Sequence, residues 1–226
     1  MLTGISSMAT RQLLAELADA WQQKTGASVA IESVGGVAAT TRVLEGESFD
    51  VVVLASDAID KLAAAARIDP SSRVDIVRSD IAIAVREGSP LPDIRDEEAV
   101  RDAVGRASAV GYSSGPSGTH VRRVLERWGM TGGTSTKVVQ APPGVPVATL
   151  LARNEVDIGF QQFSELMNVD GITIVGPMPP AIQATTVFAG AAGVTTARRD
   201  DAQAFLAWLA SAEVEDVKRR HGMTSA

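Results

Sequence analysis

Two stretches of small hydroxyl residues and glycines stand out as chemistry-bearing: Gly4-Ile5-Ser6-Ser7-Met8-Ala9-Thr10-Arg11 and Gly111-Tyr112-Ser113-Ser114-Gly115-Pro116-Ser117-Gly118-Thr119-His120. Each follows an apolar run and opens a segment with helical apolar spacing. A helix start carries N–H groups without intrahelical partners and the positive end of the helix dipole, so with nearby hydroxyls it can hold a carboxylate or another oxyanion. Two such starts far apart in sequence point to one anion gripped from both sides. Ser6 and Ser7 have a second reading as ordinary helix caps. Ser113, Ser114, Gly115, Ser117, Gly118 and Thr119 have one as a plain tight turn.

Further candidates lie elsewhere. Gly35-Gly36 is either a strand-to-helix turn or a source of N–H donors. Gln161, Gln162 and Gln183 carry amides that both donate and accept, suited to reading carboxylate and hydroxyl groups. Arg11, one turn into the first helix, and Arg78, just before Ser79, are candidate bidentate partners for a carboxylate. For proton transfer, His120 and Glu165 are the candidate base and acid. Tyr112 is titratable but has a core reading too.

The elements that must position these groups alternate between strand and helix. Strands are expected near 2–5, 28–33, 49–54, 108–112, 136–140, 156–160 and 172–175. Leu13, Leu14, Leu17 and Trp21 form one helical stripe, and Val121, Val124, Leu125 and Trp128 another. The 49–54 run is almost wholly apolar, as a strand covered on both faces requires. Two long extended stretches, 74–85 and 182–189, are expected to cross between lobes. The pattern predicts an α/β protein of two doubly wound lobes joined by two crossover strands, with a ligand cleft between them: 1–80 plus 187–226 as the first lobe and 81–186 as the second.

Composition narrows the function. With 226 residues, 45% apolar and 21% charged, the chain has material for a sizeable core. A net charge of −6 argues against nucleic acid as a partner, and no apolar run reaches the roughly 20 residues of a membrane span. Without cysteine and with only two histidines, no metal site is expected. The N-terminus runs almost directly into a polar helix start, so a cytoplasmic location is expected, or a periplasmic one if a leader has been removed.

The two serine-rich turns, with Asp50-Val51-Val52-Val53-Leu54-Ala55-Ser56-Asp57 and Glu155-Val156-Asp157-Ile158-Gly159-Phe160, resemble the molybdate-binding branch of the type II periplasmic binding proteins over nearly the whole chain. The resemblance implies an anion held in the interlobe cleft by serine hydroxyls and backbone N–H groups, with Ser6, Ser7 and Ser56 as first-lobe ligands. The chain departs from that branch at Ser114-Gly115-Pro116-Ser117-Gly118, where a Val-Pro-Ala-Gly-like turn is usual, and near Gln162, where a tyrosine ligand is usual. The Gly115-Pro116-Ser117-Gly118 turn, with the expected lack of a leader, suits the aconitate isomerases better, enzymes that resemble these binding proteins. The reading that follows is a small di- or tricarboxylate ligand, isomerised by an allylic proton shift without cofactor. The alternative is a solute receptor for molybdate or a similar oxyanion, with an ABC permease as partner, or an anion sensor.

Overall fold

The computed structural model describes residues 1–131 and 136–226. In chain order the regular elements are β1 (Leu2–Ser7), α1 (Arg11–Thr25), β2 (Val29–Val34), α2 (Gly36–Leu44), β3 (Val51–Ala55), α3 (Ser56–Ala64), β4 (Val74–Ser79), β5 (Ile81–Arg86) and α4 (Glu97–Arg106). Then follow β6 (Ala109–Tyr112), α5 (Pro116–Arg127), β7 (Lys137–Gln140), α6 (Val147–Ala152), β8 (Ile158–Gln162), the single turn α7 (Phe163–Leu166), β9 (Ile172–Pro177), β10 (Thr186–Ala192), α8 (Arg199–Ala210), α9 (Glu215–Arg220) and β11 (Thr224–Ser225). The chain divides into two compact units, Met1–Ser79 with Thr186–Ala226, and Asp80–Thr185.

The first unit is built on a six-stranded sheet in the order β11-β4-β10-β3-β1-β2. Successive residues of β3 point to opposite faces, and both faces are covered, so all five are buried. Val51, Val53 and Ala55 meet the α1 stripe of Leu13, Leu14, Leu17 and Trp21 together with Phe205, Leu206 and Leu209 of α8. Val52 and Leu54 meet Ala39 and Val43 of α2 and Ile59 and Leu62 of α3. Gly26, with φ of 76°, closes α1 in the left-handed conformation that glycine adopts most readily.

The second unit carries a five-stranded sheet in the order β7-β6-β8-β5-β9. Val100 and Val104 of α4 and Val121, Val124 and Leu125 of α5 cover one face, and Val147, Leu150 and Leu151 of α6 cover the other.

Both sheets are mixed. β10 runs antiparallel to β3 and β4, and β5 runs antiparallel to β8 and β9. The long extended stretch 74–85 is therefore two strands in two sheets, separated at Asp80, rather than one. On the return path, Gln183–Thr185 has no regular structure and the strand begins at Thr186.

Candidate functional site

In the first unit β1, β2 and β3 run parallel, so their carboxyl ends share one edge of the sheet. The chain leaves β1 for β2 on one side and then returns past it to β3 on the other. That reversal is the topological switch at which α/β sheets present helix starts to ligands. Ser6 sits at this end in register with Ser33 of β2 and Val53 of β3. Its Oγ lies 2.7 Å from Ser33 Oγ, fully buried.

Ser7 is the more telling residue. Its backbone is extended (φ −77°, ψ 159°) and its side chain makes no capping hydrogen bond, which removes the helix-cap reading. The residue is 7% exposed, and its Oγ has no hydrogen-bond partner among the described residues. The start of α2 flanks it, since a Cβ at Gly36 would stand 3.7 Å from Ser7 Cβ. The Ala39 N–H donates to Gly35 O, so the N–H groups of Gly36, Val37 and Ala38 are the open donors of that helix start. A Cβ at Gly35 would meet nothing within 4 Å. Ser56 is the first residue of α3, and its Oγ donates to Val187 O at 3.2 Å, leaving its lone pairs open. Ser79 pairs with Thr186 at the same end of the sheet, with Arg78 exposed beside it on β4. Arg11 is exposed at the start of α1.

The second unit repeats the arrangement at the carboxyl ends of β6 and β8. Ser113 and Ser117 are buried with their Oγ atoms 2.9 Å apart. Ser114 and Gly115 are half-buried, and Gly115 precedes α5 with Pro116 in the first turn, where a missing N–H costs nothing. Thr119 turns inward on its own helix, donating its N–H (3.0 Å) and its Oγ1 (3.4 Å) to Gly115 O. Gly118 has a different role from the one expected: a Cβ there would stand 1.6 Å from Ser113 O, so close packing fixes glycine at this position.

Several candidates turn out to be engaged within the second unit. Gln161 Oε1 accepts the Val147 N–H at 2.8 Å, capping α6, while its Nε2 donates to Glu165 Oε2 at 2.8 Å. Gln183 completes the end of β5: its Oε1 accepts from the N–H groups of Ile81 and Ala184, and its Nε2 donates to Ile81 O and Met178 O. Gln183 thus serves the backbone and Gln161 joins a backbone N–H to the Glu165 carboxylate, internal roles where ligand reading was expected. Gln162 is buried at the end of β8, paired in register with Ile81. Tyr112 belongs to the core. His120 Nε2 donates to Ile182 O at 2.8 Å, so a base role falls to Nδ1 alone.

The helix starts differ in charge. α3, α4, α7, α8 and α9 each have an acid in the first turn. α1, α2 and α5 have none, and no side chain caps them. α6 also lacks an acid, but Gln161 fills its first donor. α1 continues from a 3-10 turn, Met8–Thr10, whose Met8 O accepts the Arg11 N–H, so the open and acid-free starts are those of α2 at Gly35-Gly36, which flanks Ser7, and of α5 at Ser113-Ser117. Ser33 was missed in the sequence; its only signal is that it ends a strand just before the glycine pair.

Mixed sheets with helix starts grouped at strand ends are the architecture of periplasmic-type solute-binding proteins. The chain belongs to the bacterial extracellular solute-binding protein family, whose profile matches residues 2–224. It is 35% identical over 215 residues to an aconitate isomerase from a Pseudomonas species, covering 93% of this chain and 82% of that one. The periplasmic molybdate-binding protein of Azotobacter vinelandii has the same fold, with a TM-score of 0.82 at 19% identity over 99% of both chains. A phosphate-bound putative phosphate-transporter substrate-binding protein from Clostridium perfringens aligns with a TM-score of 0.69 at 15% identity, covering 100% of this chain and 99% of that one.

Proposed function

We propose that this protein binds a small di- or tricarboxylate and isomerises it by an allylic proton shift. The observation that carries the reading is the set of uncapped, acid-free helix starts, with the buried, unpartnered Ser7 hydroxyl beside one of them. N–H donors and hydroxyls of this kind stabilise negative charge without reorganising as it develops. Each unit carries one set. The relative named aconitate isomerase supports the choice of acid.

In the proposed reaction a base removes a proton from the carbon attached to one end of the double bond. The electron pair left behind spreads through the double bond into the carboxylate, and a proton returns at the far end. The double bond moves by one position with no net oxidation, so the chemistry itself calls for no redox cofactor. Nδ1 of His120 and the carboxylate of Glu165, oriented by Gln161, are the groups assigned to move the proton. Substituting either with glutamine lowers turnover while leaving affinity near that of the parent.

A second reading, a receptor delivering molybdate or another oxyanion to an ABC permease, is supported by the family description and by the fold shared with the molybdate-binding protein. The same description, extracellular, favours the periplasmic location over the cytoplasmic one. No helix among the described residues is long and apolar enough to cross a membrane.

Proton NMR of the protein with cis- and trans-aconitate in D₂O separates the readings, alongside thermal shifts with molybdate, tungstate, sulfate and tricarboxylates. Interconversion with deuterium uptake supports the isomerase. Stabilisation by molybdate alone, with both aconitates inert, refutes it in favour of the receptor.

A further inference from the structure

Among the described residues four large apolar side chains are prominently exposed: Met1, Val37, Leu91 and Val194. Isolated exposed aliphatics need no explanation, but Val37 differs in its position. It is 69% exposed in the first turn of α2, between Gly36 and Ala38, whose N–H groups together with its own are the open donors of that helix start. The first turn of a helix ordinarily gains from acids or small polar residues. Here it reads Gly-Val-Ala-Ala.

The buried face of α2 is made by Ala39, Thr40 and Val43, so Val37 takes no part in the core. Its direction follows from helix geometry, because Cα–Cβ bonds tilt toward the helix N-terminus. The Val37 Cα–Cβ bond is therefore tilted toward the start of α2, the end flanked by the unpartnered Ser7 hydroxyl. An apolar side chain beside open donors strips no charge from an anion, but it can shelter the carbon atoms attached to one.

We propose that Val37 is a specificity-determining residue that packs on the carbon skeleton of the bound acid and favours organic polycarboxylates over inorganic oxyanions. The proposal rests on the carboxylate reading above and deepens it. A compact oxyanion such as sulfate presents only oxygen to its surroundings, so it gains nothing from an aliphatic neighbour. A tricarboxylate has hydrophobic C–H surface between its carboxylates, and covering it with a methyl pair is favourable.

Isothermal titration of the parent protein, Val37→Ser and Val37→Leu with trans-aconitate, sulfate and molybdate tests this. Because Val37 is outside the core, all three proteins should melt alike without ligand. Val37→Ser should weaken trans-aconitate by roughly five- to twentyfold, the scale of losing part of one aliphatic contact, and leave sulfate and molybdate within about twofold. Val37→Leu should keep the parent affinity for trans-aconitate. Where the inorganic ions give no measurable binding, the trans-aconitate loss and its recovery in Val37→Leu carry the test. An unchanged trans-aconitate affinity in Val37→Ser, or an equal loss for all three ligands, overturns the proposal while leaving the carboxylate reading intact. Failure of the parent protein to bind trans-aconitate overturns both.

Discussion

Replacing Ser7 with alanine should move stability and affinity in opposite directions. The Ser7 hydroxyl is buried and makes no hydrogen bond to any described residue, so the folded protein carries the desolvation of a polar group with no compensating bond. An unsatisfied group of this kind costs about 1–3 kcal/mol. Alanine accepts the extended backbone at φ −77° and ψ 159° without strain, so Ser7→Ala should melt at the parent temperature or a few degrees above it. Ligand binding should suffer, since a hydrogen bond to a charged group contributes about 1.5–3 kcal/mol, or roughly 10- to 150-fold in Kd. A helix cap behaves in the reverse way, with serine to alanine costing about 1 kcal/mol of stability. Ser6→Ala is the internal control: its hydroxyl is already paired with Ser33, so this variant loses stability by breaking that pair. Thermal unfolding without ligand and calorimetric titration with trans-aconitate and molybdate read both quantities. Loss of stability in Ser7→Ala with unchanged affinity for both ligands would refute the assignment of Ser7 as an open donor.

Two further perturbations probe the scaffold. Gly118→Ala places a methyl group 1.6 Å from the Ser113 carbonyl oxygen and should destabilise the second unit by at least about 3 kcal/mol, the upper end of overpacking costs; denaturant melts showing parent-like stability would disprove the packing role. Glu16 is held below the usual carboxylate range of about 4.5 by hydrogen bonds from Arg220 and His221, which tie α1 to α9. A depressed folded-state pKa adds stability that is present above pH 4.5 and is lost as the pH falls through the lower folded value. With the Glu16 side chain 41% exposed, solvent screening holds this to about 1 kcal/mol at most. Glu16→Gln should therefore melt below the parent at pH 7, and the gap should shrink as the pH falls through the depressed folded-state value; a gap that stays constant as the pH is lowered counts against the linkage.

The parts of the fold set by local periodicity were readable in the sequence. The α1 stripe of Leu13, Leu14, Leu17 and Trp21 and the all-apolar β3 both report burial directly, because each side chain's environment follows from its own spacing. The 74–85 stretch was readable as a crossing with its boundary near residue 80, but its pairing was not: strand assignment there depends on which sheet supplies the partner, Thr186 of β10 for Ser79 and Gln162 of β8 for Ile81. The same limit applies to the candidate site. Helix starts are marked by composition, so Ser7, Gly35-Gly36 and Ser113-Ser117 could be picked out as a pattern. Which polar groups stay open is a matter of tertiary pairing, and no spacing rule shows that Gln183 completes β5 or that Ser33 engages Ser6.

Charge accounts for why three helix starts differ from the others. The chain carries six more acids than bases, so its overall field disfavours an anionic guest. Attraction must then be local, within the first turn where dipole and N–H groups act. Acids at α3, α4, α7, α8 and α9 neutralise those helix starts from within the chain, while α1, α2 and α5 keep theirs unneutralised. An acid placed in the first turn of α2 would supply the charge that the guest otherwise brings. It would gain the same dipole interaction in the folded state and so leave stability unchanged or slightly improved, while binding is lost to repulsion and to occupied donors. Retaining Gly-Val-Ala-Ala at that turn, against the chain's prevailing choice, is the arrangement expected of a site whose anion comes from outside.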